Sequence, residues 1–172
     1  MALLPIVIAP DPRLRVKCVP VTTVDGALRR LADTMLETMH AAPGIGLAAP
    51  QVADTRRLIV VDVARAEEKP DPLRLANPEI VWRSPELRLA EEGCLSLPEQ
   101  YAEVERAAAV TVRFMDMDGA MQEIGAEGLL AACLQHEIDH LDGVLFVDHI
   151  TALRRNIILR RMRKLKRQGE VA

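Results

Sequence analysis

Two histidines four residues apart, His136 and His140, with Glu137 beside the first, restrict this chain's fold more than any other feature. On an α-helix that spacing stacks both imidazoles on one face, within reach of one metal ion. Glu137 lies on the same side, where a carboxylate can take a proton from water. The pattern His-Glu-x-x-His is that of a hydrolytic metal site. The same spelling also arises by chance, and paired histidines occur on ordinary amphipathic helices. The preceding residues favour the metal. Positions 128–134, Gly-Leu-Leu-Ala-Ala-Cys-Leu, are almost wholly apolar and predict a buried helix. Buried His and Glu are costly without a partner, and a cation supplies one.

Two imidazoles leave a catalytic metal short of its usual three protein ligands. A third His six residues past His140 is absent, because position 146 is Phe, and no Glu lies between Leu141 and Gly169. Asp142, Asp148 and His149 are the downstream candidates. Cys133 shares the helical face of His136 and His140, but the three would span about 10 Å along the axis and cannot converge on one ion. Cys133 reads better as a small core residue. Cys94, in Glu91-Glu92-Gly93-Cys94-Leu95-Ser96 between strand-like segments, could approach the helix from another direction.

Three blocks in order resemble the peptide deformylases: Gly44-Ile45-Gly46-Leu47-Ala48-Ala49-Pro50-Gln51, Glu92-Gly93-Cys94-Leu95-Ser96, and Gln135-His136-Glu137-Ile138-Asp139-His140. The resemblance spans nearly the whole chain, including a helical C-terminal tail. It implies that Cys94, His136 and His140 hold the metal and that Glu137 is the general acid/base. Gln51, through its side-chain amide, and Leu95, through its backbone N–H, would stabilise an oxyanion. Ile45, Gly46 and Gly93 would line the cleft that aligns a peptide backbone. Ile45, Leu129, Ala132 and Cys133 are candidates for an apolar pocket for the first side chain. The implied metal is one Fe2+ per chain, with Zn2+, Ni2+ or Co2+ as replacements. The implied reaction is removal of the formyl group from the N-terminal methionine of nascent chains, releasing formate. Tyr101 departs from the resemblance, standing where many bacterial members carry a basic residue, and leaves preference beyond the first residue open.

Composition agrees with a metallohydrolase of one domain. Apolar residues make up 49% of 172, ample for a core, while aromatics at 2% argue against a base-stacking surface. Three cysteines without repeated spacing do not suggest disulfides. The apolar N-terminus is short, holds two prolines and lacks a basic flank, so it reads as neither signal peptide nor membrane span. A cytoplasmic enzyme is expected.

Along the chain, 10–20 reads as an extended arm and 25–40 as an amphipathic helix capped by Thr23 or Asp25. The segment from Gly44 to Gln51 reads as a loop entering the cleft. Residues 58–63 read as a buried strand, 73–75 and 80–82 as short runs flanking an Asn-Pro break, and 87–89 as an alternating run leading to Cys94. Strands over 110–114 and 121–124 join through Met117-Asp118-Gly119, a hairpin signal. Helix 128–140 follows. Strands precede the metal helix without βαβ alternation, so the fold class is α+β, with antiparallel strands around a central metal-binding helix and a C-terminal helix.

That last helix, 151–168, carries eight Lys or Arg and no acid, which leaves the rest of the chain near −11 of the total −3. Ile150, Leu153, Ile157, Ile158, Met162 and Leu165 form its apolar stripe. The basic face is either simply solvated or a contact for nucleic-acid phosphates; the resemblance implies ribosome docking. The chain therefore divides into a catalytic body, 1–150, and a basic helix, 151–168. Two rivals remain: a metallopeptidase, which lacks its expected third ligand, and a structural metal protein with an RNA-binding tail.

Overall fold

A computed structural model describes residues 2–169. Helix α1, Gly26–Ala41, begins where the Asp25 carboxylate accepts the Leu28 N–H at 2.9 Å. It buries Leu28, Ala32, Met35, Leu36 and Met39 on one face. It ends where the N–H groups of Ala42 and Gly44 turn back onto the last carbonyls. Strands β1 (Gly46–Ala48), β2 (Leu58–Val61), β3 (Leu73–Arg83), β6 (Ala109–Met115) and β7 (Met121–Glu127) make an antiparallel sheet in the order β1-β2-β3-β6-β7. Strands β4 (Leu87–Cys94) and β5 (Leu97–Ala107) form a separate two-stranded hairpin.

The sheet is covered on both faces, which explains the unbroken apolar run of β2. Leu58 and Val60 pack toward α1, whereas Ile59 and Val61 pack toward helix α2, Gly128–Leu141. Ala131, Leu134, Ile138 and Leu141 of α2 lie against Leu75, Val110, Val112 and Phe114. The remaining side of α2, with His136 and His140, is left for the β4–β5 hairpin. Helix α3, Ala152–Arg167, is capped by Thr151 and docks Ile158 and Met162 into a third cluster with Leu14, Leu97, Val104 and Phe146.

Several expectations need correction. The arm over 10–20 contains a 3-10 turn, Pro12–Arg15, because Asp11 caps it and buries Leu14. The segment from Gly44 to Gln51 is not a loop throughout. It holds β1 and a 3-10 turn, since Leu47 and Ala48 pair with β2. The two runs flanking the Asn-Pro break belong to one strand, β3, with an irregular register between Ala76 and Glu79. Asn77 takes a positive φ of 50° there, and its amide clasps both backbone groups of Val21. On α3 the predicted stripe is narrower than expected: Leu153 is 72% exposed and Ile157 is also exposed.

Candidate metal and peptide site

Cys94 ends β4 and directs its thiol at α2. Its Sγ lies 3.4 Å from His140 Nε2, and one ligand atom each from Cys94, His136 and His140 fall within 4.8 Å of one another. The two rings meet edge to face with centroids 5.0 Å apart. Asp142, Asp148 and His149, the downstream candidates, do not join them. Asp142 pairs with Arg57, Asp148 with Arg15, and His149 with Asp139.

The three donors fit a divalent ion of borderline softness. A tetrahedral ion with bonds of about 2.3 Å to sulfur and about 2.0–2.1 Å to nitrogen separates those atoms by roughly 3.5 Å, close to the sulfur–nitrogen distance found. Burial pushes the His140 imidazole well below its usual range, toward the neutral form a metal needs. Two buried atoms at this spot, Glu137 Oε2 and His140 Nδ1, have no hydrogen-bond partner among the described residues.

Glu137 is fully enclosed. Burial lifts its carboxyl to about 7, despite the opposing charge of His136. The approach of β1 makes this enclosure possible: an added Cβ at Gly46 would lie 2.5 Å from Glu137 Oε1. Gln51 is oriented by its own turn. Its Oε1 accepts the Ala48 N–H at 2.9 Å, so its Nε2 faces Ser96 Oγ at 3.1 Å and Cys94 Sγ at 3.5 Å. Leu95 follows Cys94 in the turn between β4 and β5.

Glu92 is the residue that sequence reasoning passed over. Two positions before Cys94 on the same strand face, its Oε1 lies 2.9 Å from His136 Nδ1. Burial opposes its charge, but hydrogen bonds from His136 and Arg106 outweigh that and hold it down to about 2. Arg106 also reaches Asp139 at 2.9 Å. That carboxylate orients the His136 ring through Nδ1. The i, i+2 relation to Cys94 was the available signal.

A cavity of about 770 Å³ opens from this cluster, with Ile45, Gly46, Gly93, Leu129, Ala132 and Cys133 among its walls. All the cleft residues expected from sequence border this one space. Tyr101 borders it too, its ring lying across Gly93, where a Cβ would come within 2.6 Å.

Residues 3–156 match the family model described as polypeptide deformylase. A peptide deformylase of Rhizobium meliloti (strain 1021) is 55% identical over 164 residues, covering 95% of this chain and 94% of its relative. One from Methylocella silvestris is 58% identical over 167 residues, with 95% and 85% covered. The crystal structure of peptide deformylase from Ehrlichia chaffeensis superposes with a TM-score of 0.93 at 37% identity, covering 99% of this chain and all of that one. A second structure of that protein, in complex with actinonin, gives 0.92.

Proposed function

This chain belongs to the polypeptide deformylase family, and we propose that it hydrolyses the N-terminal formamide of formyl-methionyl peptides to formate and a free amine. The observation that carries this reading is the convergence of Cys94, His136 and His140 beside an enclosed Glu137 at the end of a peptide-sized cleft. Those three residues would hold a divalent cation, ferrous iron on the family resemblance. When bound, it supplies Lewis acidity at the formyl oxygen and acidifies water toward a pKa of about 7.

The chain's own residues do the rest. Glu137, near 7 before any cation binds, takes a proton from the attacking water and returns it to the amine nitrogen as the C–N bond breaks. Gln51 Nε2 and the Leu95 N–H donate to the oxygen on which charge grows; a donor of this kind is worth roughly 10²–10³ in rate. Ile45, Gly46 and Gly93 align the peptide backbone, and the absence of side chains at the two glycines lets that backbone come close. Leu129 and Cys133 face the first side chain.

Residues 1–150 act as the catalytic body. The basic helix 151–168 is the candidate ribosome contact. Arg154, Arg160, Arg161 and Arg163 are exposed there alongside Leu153. Salt-dependent co-sedimentation with ribosomes tests that part. Three free cysteines suit a reducing, cytoplasmic setting. Among the described residues no helix is long and apolar enough to cross a membrane. The central test is anaerobic turnover of formyl-Met-Ala-Ser against its acetylated and unmodified counterparts. Formate release from the first alone supports the reading, and cleavage of internal peptide bonds in the unmodified peptide overturns it.

A further inference from the structure

Strand β4 and helix α2 run past each other in register. Cys94 meets His140 at 3.4 Å and Glu92 meets His136 at 2.9 Å. Two residues back along a strand is about 6.6 Å, and four back along a helix is about 6 Å. At the other end the Gly128 N–H donates to the Ala108 carbonyl at 3.3 Å and the Ala108 N–H to that of Glu86 at 2.9 Å, so the end of β4 that carries Arg88 and Ala90 lies toward the start of α2, which carries Leu129 and Ala132. All four border the same cavity. The layer beyond the metal ligands thus has a methyl group on each wall, and the layer beyond that ends at a guanidinium.

Arg88 is the only Lys or Arg among the residues bordering the cavity. It is exposed, and among the described residues its side chain makes no hydrogen bond or ion pair. Its cross-strand neighbour is another cation, Arg106, which occupies both oxygens of Glu92. Like charges directly opposite repel, and the Glu92 carboxylate on the same strand is already taken.

Resting on the deformylase reading above, we propose that Arg88 is a specificity residue at the far end of the first side-chain pocket. It reads a hydrogen-bond acceptor at the tip of that side chain. The channel suits an unbranched apolar stem, its walls being Ala90, Ala132 and Cys133. The acceptor that methionine gains most simply is the sulfoxide oxygen, so the pocket takes formyl-methionine sulfoxide as well as formyl-methionine.

The experiment compares kcat/KM for formyl-Met-Ala-Ser and formyl-methionine-sulfoxide-Ala-Ser in the wild-type holoenzyme, Arg88→Ala and Arg88→Lys. The sulfoxide-to-methionine ratio falls about fivefold in Arg88→Ala, through KM, as expected for a partly exposed charged hydrogen bond. Arg88→Lys, which keeps a cation, gives an intermediate ratio. An unchanged ratio in Arg88→Ala, or no wild-type turnover of the sulfoxide peptide beside good turnover of the methionine peptide, overturns this inference and leaves the deformylase reading standing. Failure on both peptides overturns the two together.

Discussion

A methyl group at position 46 would lie 2.5 Å from Glu137 Oε1 and 2.8 Å from Cys133 Sγ. Neither atom belongs to a loose chain end, because both are enclosed on α2. Gly46→Ala is expected to push the Glu137 carboxyl off its position while leaving the ligand cluster in place. Displacement of about 1 Å at a reacting group can cost around 10² in rate, and kcat/KM measured beside metal content checks this. Loss of metal in step with loss of rate would contradict it. Glu137→Gln keeps the volume and removes the proposed proton acceptor. Its turnover is expected to fall by about 10²–10⁴ with metal retained, whereas a purely structural metal protein would tolerate the change.

Arg106 of β5 joins the hairpin to α2. Its guanidinium reaches Glu92 through Nη2 at 2.9 Å and Asp139 through Nη1 at 2.9 Å. Arg106→Ala removes two of the three hydrogen bonds on the buried Glu92 carboxylate, leaving that from His136, a defect of about 3 kcal/mol in stability, read as a lower denaturant midpoint. Asp62 does a similar service after β2. Burial pushes its carboxyl up, but the Ala64 and Asp71 N–H groups and His40 outweigh that and hold it below the usual carboxylate range. A folded value below the unfolded value of about 3.9 means its stabilisation is present above about pH 4 and fades as the pH falls further. The difference in melting temperature between wild type and Asp62→Asn should therefore shrink below about pH 4; a difference that widens on acidification contradicts it. At this scale the sequence was readable in α1, where helical period and the Asp25 cap agreed, and in α2, where the His-Glu-x-x-His spacing followed an apolar run without any side-chain cap. Strand β5 escaped because Pro98, Ala102, Glu99, Glu103 and Glu105, all residues of weak strand preference, outweigh the signal of Tyr101 and Val104. The Glu92–Arg106 link was hidden because it joins residues 14 apart through a hairpin register that no local pattern reports. Cys94 could be favoured over Asp142, Asp148 and His149 by the motif, but only the layered packing brings its thiol to the histidines.

The molecule is a stack: α1, the five-stranded sheet, α2, then the β4–β5 hairpin. A cation bound to Cys94, His136 and His140 would tie the last two layers together. Ligands bound only by the folded state add stability by mass action, about 4 kcal/mol at a thousandfold excess over Kd. Chelation of the purified protein is expected to lower Tm by about 10 °C, with recovery when zinc is restored. The most direct measurement is X-ray absorption at the zinc edge of the reconstituted protein. One sulfur at about 2.3 Å and two nitrogens at about 2.0–2.1 Å are expected, with the sulfur lost in Cys94→Ser. A wild-type spectrum with no sulfur neighbour would contradict the site on which the whole account rests.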